Sequence, residues 1–172
     1  MNLYPTITNL RSYVSYQFSA LRIRAARDRF FAKLMGKNAS LLTFPDELQH
    51  GKGSKKPVGV KNIRVDQITG TLHQCKDFDH KFRPIQKHLL ARWANTFISL
   101  NHDQWSPILV HKLGEQYFVE DGHHRVSVAR AVGMEFIEAK IWEYSPSPKP
   151  AERSVQPVAC AEPSSSKSYA VR

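Results

Sequence analysis

The sequence predicts an α+β fold, a small mixed β-sheet packed with helices and preceded by a helical extension. Three observations carry that expectation. Short runs of β-branched and aromatic residues are interleaved with stretches of helical period along the chain. Two of those runs, ILVHKL and QYFVE, are separated only by Gly114-Glu115, the spacing of a tight hairpin. After Tyr144 the composition changes to SPSPKPAERSVQP and then SSSKSYAVR, which holds too few apolar residues to build a core. The expected organisation is a basic helical extension and linker over 1–59, a folded domain over 60–144, and a disordered Ser/Pro-rich tail over 145–172.

With 172 residues the chain can form one domain with a real core plus extensions. Its formal charge of +10 is unevenly spread. Residues 1–64 hold twelve Lys/Arg against three Asp/Glu, residues 65–144 nine against ten, and the remainder four against two. Binding to DNA or another polyanion is therefore expected of the N-terminal third. Cys75 and Cys160 form neither a disulfide framework nor a Cys-x-x-Cys metal pair, and a reducing cytoplasm is the expected compartment. No stretch reaches the ~20 apolar residues of a membrane span. The opening MNLYPTITNL lacks the charged start and apolar run of a secretory signal.

In chain order, Ser12 to Met35 reads as a long helix, because Ile23, Ala26, Phe30 and Leu34 recur at spacings of three and four. Phe31 and Met35 widen that arc. Arg22, Arg29 and Lys33 share a neighbouring face, while Arg24 and Arg27 lie among the apolar residues. The apolar arc is expected to dock on the domain with a solvated basic edge, and contact with a phosphate backbone or anionic lipid is the alternative. Gly36 stops the helix. SLLTFPDEL, Ser40 to Leu48, reads as a short helix with Thr43 as cap and Pro45 in its first turn. Residues 49–59 form a flexible basic connection in which Lys52, Lys55 and Lys56 join Arg22, Arg29 and Lys33 as candidate nucleic-acid contacts. Gly51-Lys52-Gly53 is not a P-loop, since it has neither the spacing nor the preceding strand.

Val60 to Ile68 is expected to be the first strand, stopped by Thr69-Gly70. Thr71 to Arg83 holds His73, Cys75, Asp77, Asp79 and His80, but no second ligand pair follows at a zinc-site distance, so a surface loop anchored by Phe78 and Phe82 is expected. Pro84 opens a helix to Leu100 with Ile85, Leu89, Leu90, Trp93 and Phe97 inward and Lys87, His88 and Arg92 in water. Trp105 covers a core edge. The hairpin follows from Pro107, and Met134 to Tyr144 alternates as a last strand.

Between hairpin and last strand lies YFVEDGHHRVSVARAVG, Tyr117 to Gly133, where strand, polar turn and helix succeed one another with no spare residues. A helix is read over Val126 to Val132, closed by Gly133. A turn into a helix N-terminus leaves free backbone N–H groups where the helix dipole favours negative charge, so a phosphate is the natural guest. Gly122 permits a tight backbone or close phosphate approach, Arg125 can grip phosphate bidentately, and His123 and His124 can donate hydrogen bonds. Asp121 can cap the helix, hold a divalent ion beside phosphate, or accept a proton. Glu120, by alternation, points to the other face of the strand. The plain structural alternative is a capped helix with Arg125 paired to a surface acid.

These residues resemble the signature of the ParB/sulfiredoxin-like superfamily, in which a strand runs into a phosphate-binding turn and a helix. The resemblance covers about Val60 to Tyr144 and is specific only at the turn. ParB partition proteins read Gly-Glu-Arg-Arg there, which by resemblance places Gly122, His123, His124 and Arg125 against a nucleotide triphosphate. Sulfiredoxins read Gly-Gly-Cys-His-Arg; His123 stands where their catalytic cysteine would be, so sulfinic-acid reduction is not expected. Free-serine kinases of the superfamily have an Asp-Gly-His-His-Arg type of turn, which places Asp121, and with it His123, among catalytic candidates. LLTFPDEL, RVDQITGT and FDHKF also look like segments of stand-alone bacterial ParB-like proteins. The turn and the separate basic N-terminal third together lead to the expectation of a regulatory nucleotide-binding protein that contacts nucleic acid or a partner through that third, with a nucleoside tri- or diphosphate and Mg²⁺ as ligand. The alternatives are a nucleotide-dependent small-molecule kinase, with Glu120, Asp66 and Asp77 as further candidates for an acceptor pocket, and a non-catalytic interaction scaffold.

Overall fold

The computed structural model describes residues 7–49, 53–100 and 105–146. Through them the chain forms α1 (Ile7–Leu34), β1 (Leu42–Thr43), α2 (Asp46–Gln49), β2 (Gly53–Arg64), β3 (Ile68–Thr71), α3 (Leu90–Leu100), β4 (Ile108–Leu113), β5 (Gln116–Asp121), α4 (His123–Val132) and β6 (Phe136–Pro146). The strands make one mixed sheet of order β1-β3-β5-β4-β6-β2. β1 with β3, β3 with β5 and β4 with β6 run parallel, whereas β4 with β5 and β6 with β2 run antiparallel. The α+β class is thus as the sequence predicts.

Alternation along the strands builds a core on each face of the sheet. Val110 and Val119 with Ile137, Ala139 and Ile141 face one way, and there they meet Val14 and Phe18 of α1, Trp93 of α3 and Val126, Val128 and Ala129 of α4. Phe118, of opposite parity to Val119, joins Phe44, Leu72 and Tyr144 in a smaller cluster on the other face. Trp93 also donates its Nε1–H to the buried Ser127 Oγ at 3.0 Å, which fixes α3 against α4.

The hairpin forms as expected. Gly114 has φ +60° and Glu115 has no positive φ, which excludes type I′ and suits type II′. Phe78 and Phe82 are buried and anchor the loop after β3. Trp105 covers the core edge, its Nε1–H shared between Thr96 O (3.0 Å) and Ser99 Oγ (3.1 Å).

Other boundaries move. β2 begins at Gly53 instead of Val60, so much of the expected linker is an edge strand, with Lys55, Lys56 and Lys61 on it and a bulge between Pro57 and Gly59. Lysine, proline and a bulge are the usual protections of an exposed edge. Thr69-Gly70 is inside β3, because Gly70 passes too close to β1 and β5 for a side chain: a Cβ would lie 2.4 Å from Leu42 O and 2.6 Å from the Phe118 ring. Thr43 is paired in β1, and helix α2 starts only at Asp46. The helix after Pro84 begins as a 3₁₀ turn at Lys87.

α1 forms, but with the opposite face inward. Val14, Phe18 and Ala25 are buried and Leu10 and Leu21 pack against the core, whereas Ile23, Phe30, Phe31, Leu34 and Met35 are exposed. Residues 1–6, Lys52, most of the expected tail and Cys160 lie outside the described residues. Within the described residues no helix is long and apolar enough to cross a membrane.

Candidate functional site

β3 and β5 are parallel neighbours, so their C-terminal ends, Thr71 and Asp121, open on the same edge of the sheet. Ligand sites form outside the carboxyl ends of parallel strands because the chain must turn away there and leaves a crevice. Here the crevice is a cavity of about 200 Å³. β5 and α4 supply Asp121, Gly122, His123, His124 and Arg125; the loop after β3 supplies Cys75, Asp77 and Phe78; α3 supplies Arg92 and Thr96.

α4 starts three residues before the expected Val126, with Gly122 as its N-cap at φ +106° and ψ +19°. No side chain caps this end, and the first backbone bond inside the helix is Val126 N–H to Gly122 O at 3.0 Å. The N–H groups of the first turn, His123 to Arg125, are therefore the unsatisfied donors of a helix N-terminus. At the other end Gly133 (φ +74°) and Met134 N–H to Ala129 O at 2.9 Å close the helix as a Schellman motif. Gly122 is also demanded by packing. A Cβ on it would lie 2.5 Å from Ile108 Cγ2, so its φ and its neighbour both require glycine whatever ligand binds.

Arg125 is held mainly by the protein itself. Its Nη1 donates to the Ser106 carbonyl, to Ser106 Oγ at 2.8 Å and to Pro107 O at 3.2 Å, while Nη2 pairs with Asp121 at 2.5 Å. Asp121 thus binds Arg125 instead of capping α4, and the guanidinium ties the entry of β4 to the exit of β5. A bidentate grip on phosphate, as expected from the sequence, would compete with this tie, which leaves Nε–H and one Nη2–H as spare donors.

The two histidines differ. Thr71 Oγ1 donates to Val119 O (3.3 Å) and so accepts from His123 Nε2–H at 2.8 Å, an assignment that follows from the network. The His123 ring stacks near Phe78 and Phe82 with centroids 6.3 Å away in both cases. Burial holds its pKa below the usual histidine range despite the Asp121 and Asp77 carboxylates. His124 Nδ1 is buried without a partner, so the neutral ring keeps its proton on Nε2. Burial, and then the Arg92 cation, push its pKa down to about 4. Both rings are neutral near pH 7, and His124 is the one with a hydrogen-bond donor to spare.

Arg92, expected in water, is exposed yet lines this cavity, and sequence reasoning missed it. Arg92 and Thr96 are four residues apart on one stripe of α3, a spacing visible in the sequence, but nothing there connects that stripe to α4. Cys75 also lines the cavity; burial raises its thiol pKa, so it is protonated and a poor nucleophile. Of the other acids, Asp77 lines the cavity, Asp66 pairs with Arg64 at 2.8 Å, and Glu120 points to the other face, 2.5 Å from His111 Nε2. No three His, Cys, Asp or Glu side chains among the described residues gather as metal ligands.

The candidate nucleic-acid contacts are dispersed. Arg22 Nε donates to Ile85 O at 3.1 Å. Lys55 lies over the Trp142 ring at 4.6 Å, and Lys56 pairs with Glu143 at 3.1 Å. Arg29 and Lys33 are exposed on α1, a different element. Comparison of the chain with protein-family models, curated proteins and solved structures found no significant match.

Proposed function

We propose that this chain is a ParB-like nucleotide-binding protein that takes a phosphate group in the cavity at the start of α4. The observation that carries the reading is the uncapped helix N-terminus opening into a cavity that also receives Arg92 and His124. The backbone N–H groups of residues 123–125 and the helix dipole meet phosphate oxygens, Arg92 supplies the mobile cation, and His124 Nε2–H is a neutral donor. Arg125, Asp121 and Thr71 act as positioning residues, which keep the turn and the His123 ring in place. Ligand pockets for whole small molecules are commonly ~300–1,000 Å³, so a 200 Å³ cavity suits the phosphate end, with sugar and base outside it. The role proposed for that shallow hold is regulatory.

Asp121 and Asp77 support a second reading, phosphoryl transfer to a small hydroxyl compound. Their oxygens are the ligand type that Mg²⁺ accepts beside nucleotide phosphates, where it would neutralise charge. Asp121 would then orient or deprotonate the acceptor once displaced from Arg125. DNA contact would rest on Arg29 and Lys33 of α1.

The test is a thermal-shift panel of nucleoside tri- and diphosphates and pyrophosphate, with and without Mg²⁺. At a hundredfold excess over Kd a true ligand raises Tm by about 5–10 °C. Arg92→Ala should abolish the shift and leave the unliganded Tm unchanged, since Arg92 is exposed. No shift with any phosphate compound removes the proposal. Nucleotide consumption with an added acceptor, lost in Asp121→Asn, would select the second reading.

A further inference from the structure

α1 carries two apolar faces. Leu10, Val14, Phe18, Leu21 and Ala25 make the one that packs on the domain. On an ideal wheel of about 100° per residue, Tyr16, Ile23, Phe30 and Leu34 fall within roughly 40° of each other, diametrically opposite that packed face. All four are 66–74% exposed. Phe31 and Met35 are exposed beside them at the helix end. Large apolar side chains in a row, directed away from the core, are the uncommon case that signals a partner.

Charge identifies the partner's chemistry. By the same wheel Arg27 borders the stripe on one side and Lys33 on the other, with Arg24 and Arg29 further round, between the stripe and the packed face. The one acid of α1, Asp28, lies on the packed side and is held by Arg83 at 2.9 Å, Arg27 at 3.2 Å and Lys81 at 3.6 Å. The charged residues that border the exposed stripe are therefore basic on both sides, with Arg27 also paired to Asp28. A twofold-related second copy would set these basic borders against each other. Duplex phosphates would meet Ile23, Phe30 and Leu34 at the centre of the face, where there is no charge. An anionic bilayer offers both requirements, acyl chains for the stripe and headgroup charges for its basic borders.

We propose that the outer face of α1, from Tyr16 to Leu34, docks reversibly on an anionic lipid surface, with the helix lying in the plane of the interface. The docking is peripheral, because α1, although 28 residues long, is not apolar enough to span a bilayer. It is independent of the phosphate cavity, and the sheet domain stays on the water side because α1's other face holds it.

The experiment is co-sedimentation of the full chain with phosphatidylcholine vesicles containing phosphatidylserine and with phosphatidylcholine alone. The chain should pellet with the former and much less with the latter. Ile23→Ser/Phe30→Ser/Leu34→Ser should weaken binding by about tenfold or more, with Tm unchanged. Arg24→Gln/Arg29→Gln/Lys33→Gln should also weaken it, by about fivefold per charge, as should added salt. The proposal is overturned if no protein pellets with the acidic vesicles or if the apolar triple variant binds as well as the parent chain. It is equally overturned if the chain is a dimer in solution that the apolar triple variant dissociates, or if duplex DNA binds more tightly than vesicles and that variant leaves DNA binding intact.

Discussion

At the start of α4 polar side chains are drawn inward, and along the outer face of α1 apolar ones are left in water. Both regions reverse the ordinary sorting of residues, in opposite directions. In the first, Arg125, Asp121, His123 and Thr71 satisfy one another and leave few donors free. In the second, Ile23, Phe30 and Leu34 stand exposed, and the ring contact of Phe30, with Phe31, is to another exposed side chain of α1. Residue types that look functional can therefore be spent on holding a turn, while residues that look like core can be the ones awaiting a partner. What remains for a ligand at α4 is less conspicuous: backbone N–H groups, Arg92 and one nitrogen of His124.

The strongest test of inward-drawn polarity is Asp79. Its carboxylate is fully buried, accepts from the Lys81 and Arg83 backbones at 3.0 and 2.9 Å, and pairs with Arg83, which also reaches Asp28 on α1. Asp79→Ala leaves Arg83 half-buried without its main partner and should cost about 3–5 kcal/mol in urea denaturation. It should also weaken phosphate binding, because the loop carrying Asp77 and Phe78 loses its anchor; a loss below about 1 kcal/mol would show the network to be incidental. Next comes Gly122→Ala, which meets both a positive φ and Ile108, and should cost roughly 2–4 kcal/mol. A neutral result would mean that the turn can relax.

A third effect is acid sensitivity. The pKa values of His111, His123 and His124 are all lowered, mainly by burial. As pH falls, the unfolded chain takes up these protons near about 6.5 and the native chain only lower, so stability is full above ~6.5 and declines below it. For His124 the decline continues to about 4. Asp28, whose carboxyl is lowered chiefly by its hydrogen bond to Arg83, adds its loss only below about 4. Tm measured from about pH 7.5 to 4.5 should fall, and His124→Gln should flatten that fall. A flat profile in the parent chain would contradict burial of neutral rings. The smallest effect is expected outside: Phe30→Ser should change folding stability by no more than about 0.5 kcal/mol. A larger loss would place that face against the domain after all.

The same contrast explains what could be read from the residues. The hairpin was legible because its turn chemistry is local to Gly114-Glu115, and α4 because Gly133 marks its end. Its start was not, since His123-His124-Arg125 carries no apolar period and the cap is Gly122 instead of a hydrogen-bonding side chain. β1 and β3 are two and four residues long, too short for a period to declare itself, and Gly70 imitates a stop. For α1, two opposed apolar arcs were present, and periodicity identifies a face without saying what lies against it. Of the site, the turn was legible from residue types; Arg92 was not, because only tertiary packing of α3 on α4 brings it there.

Titration of uniformly ¹⁵N-labelled protein with pyrophosphate and ATP, followed by backbone amide shifts, tests the phosphate site most directly. The largest, saturable shifts are expected at the amides of His123, His124 and Arg125, with their loss in Arg92→Ala. Saturable shifts centred elsewhere, or none at those three amides, would contradict the phosphate site.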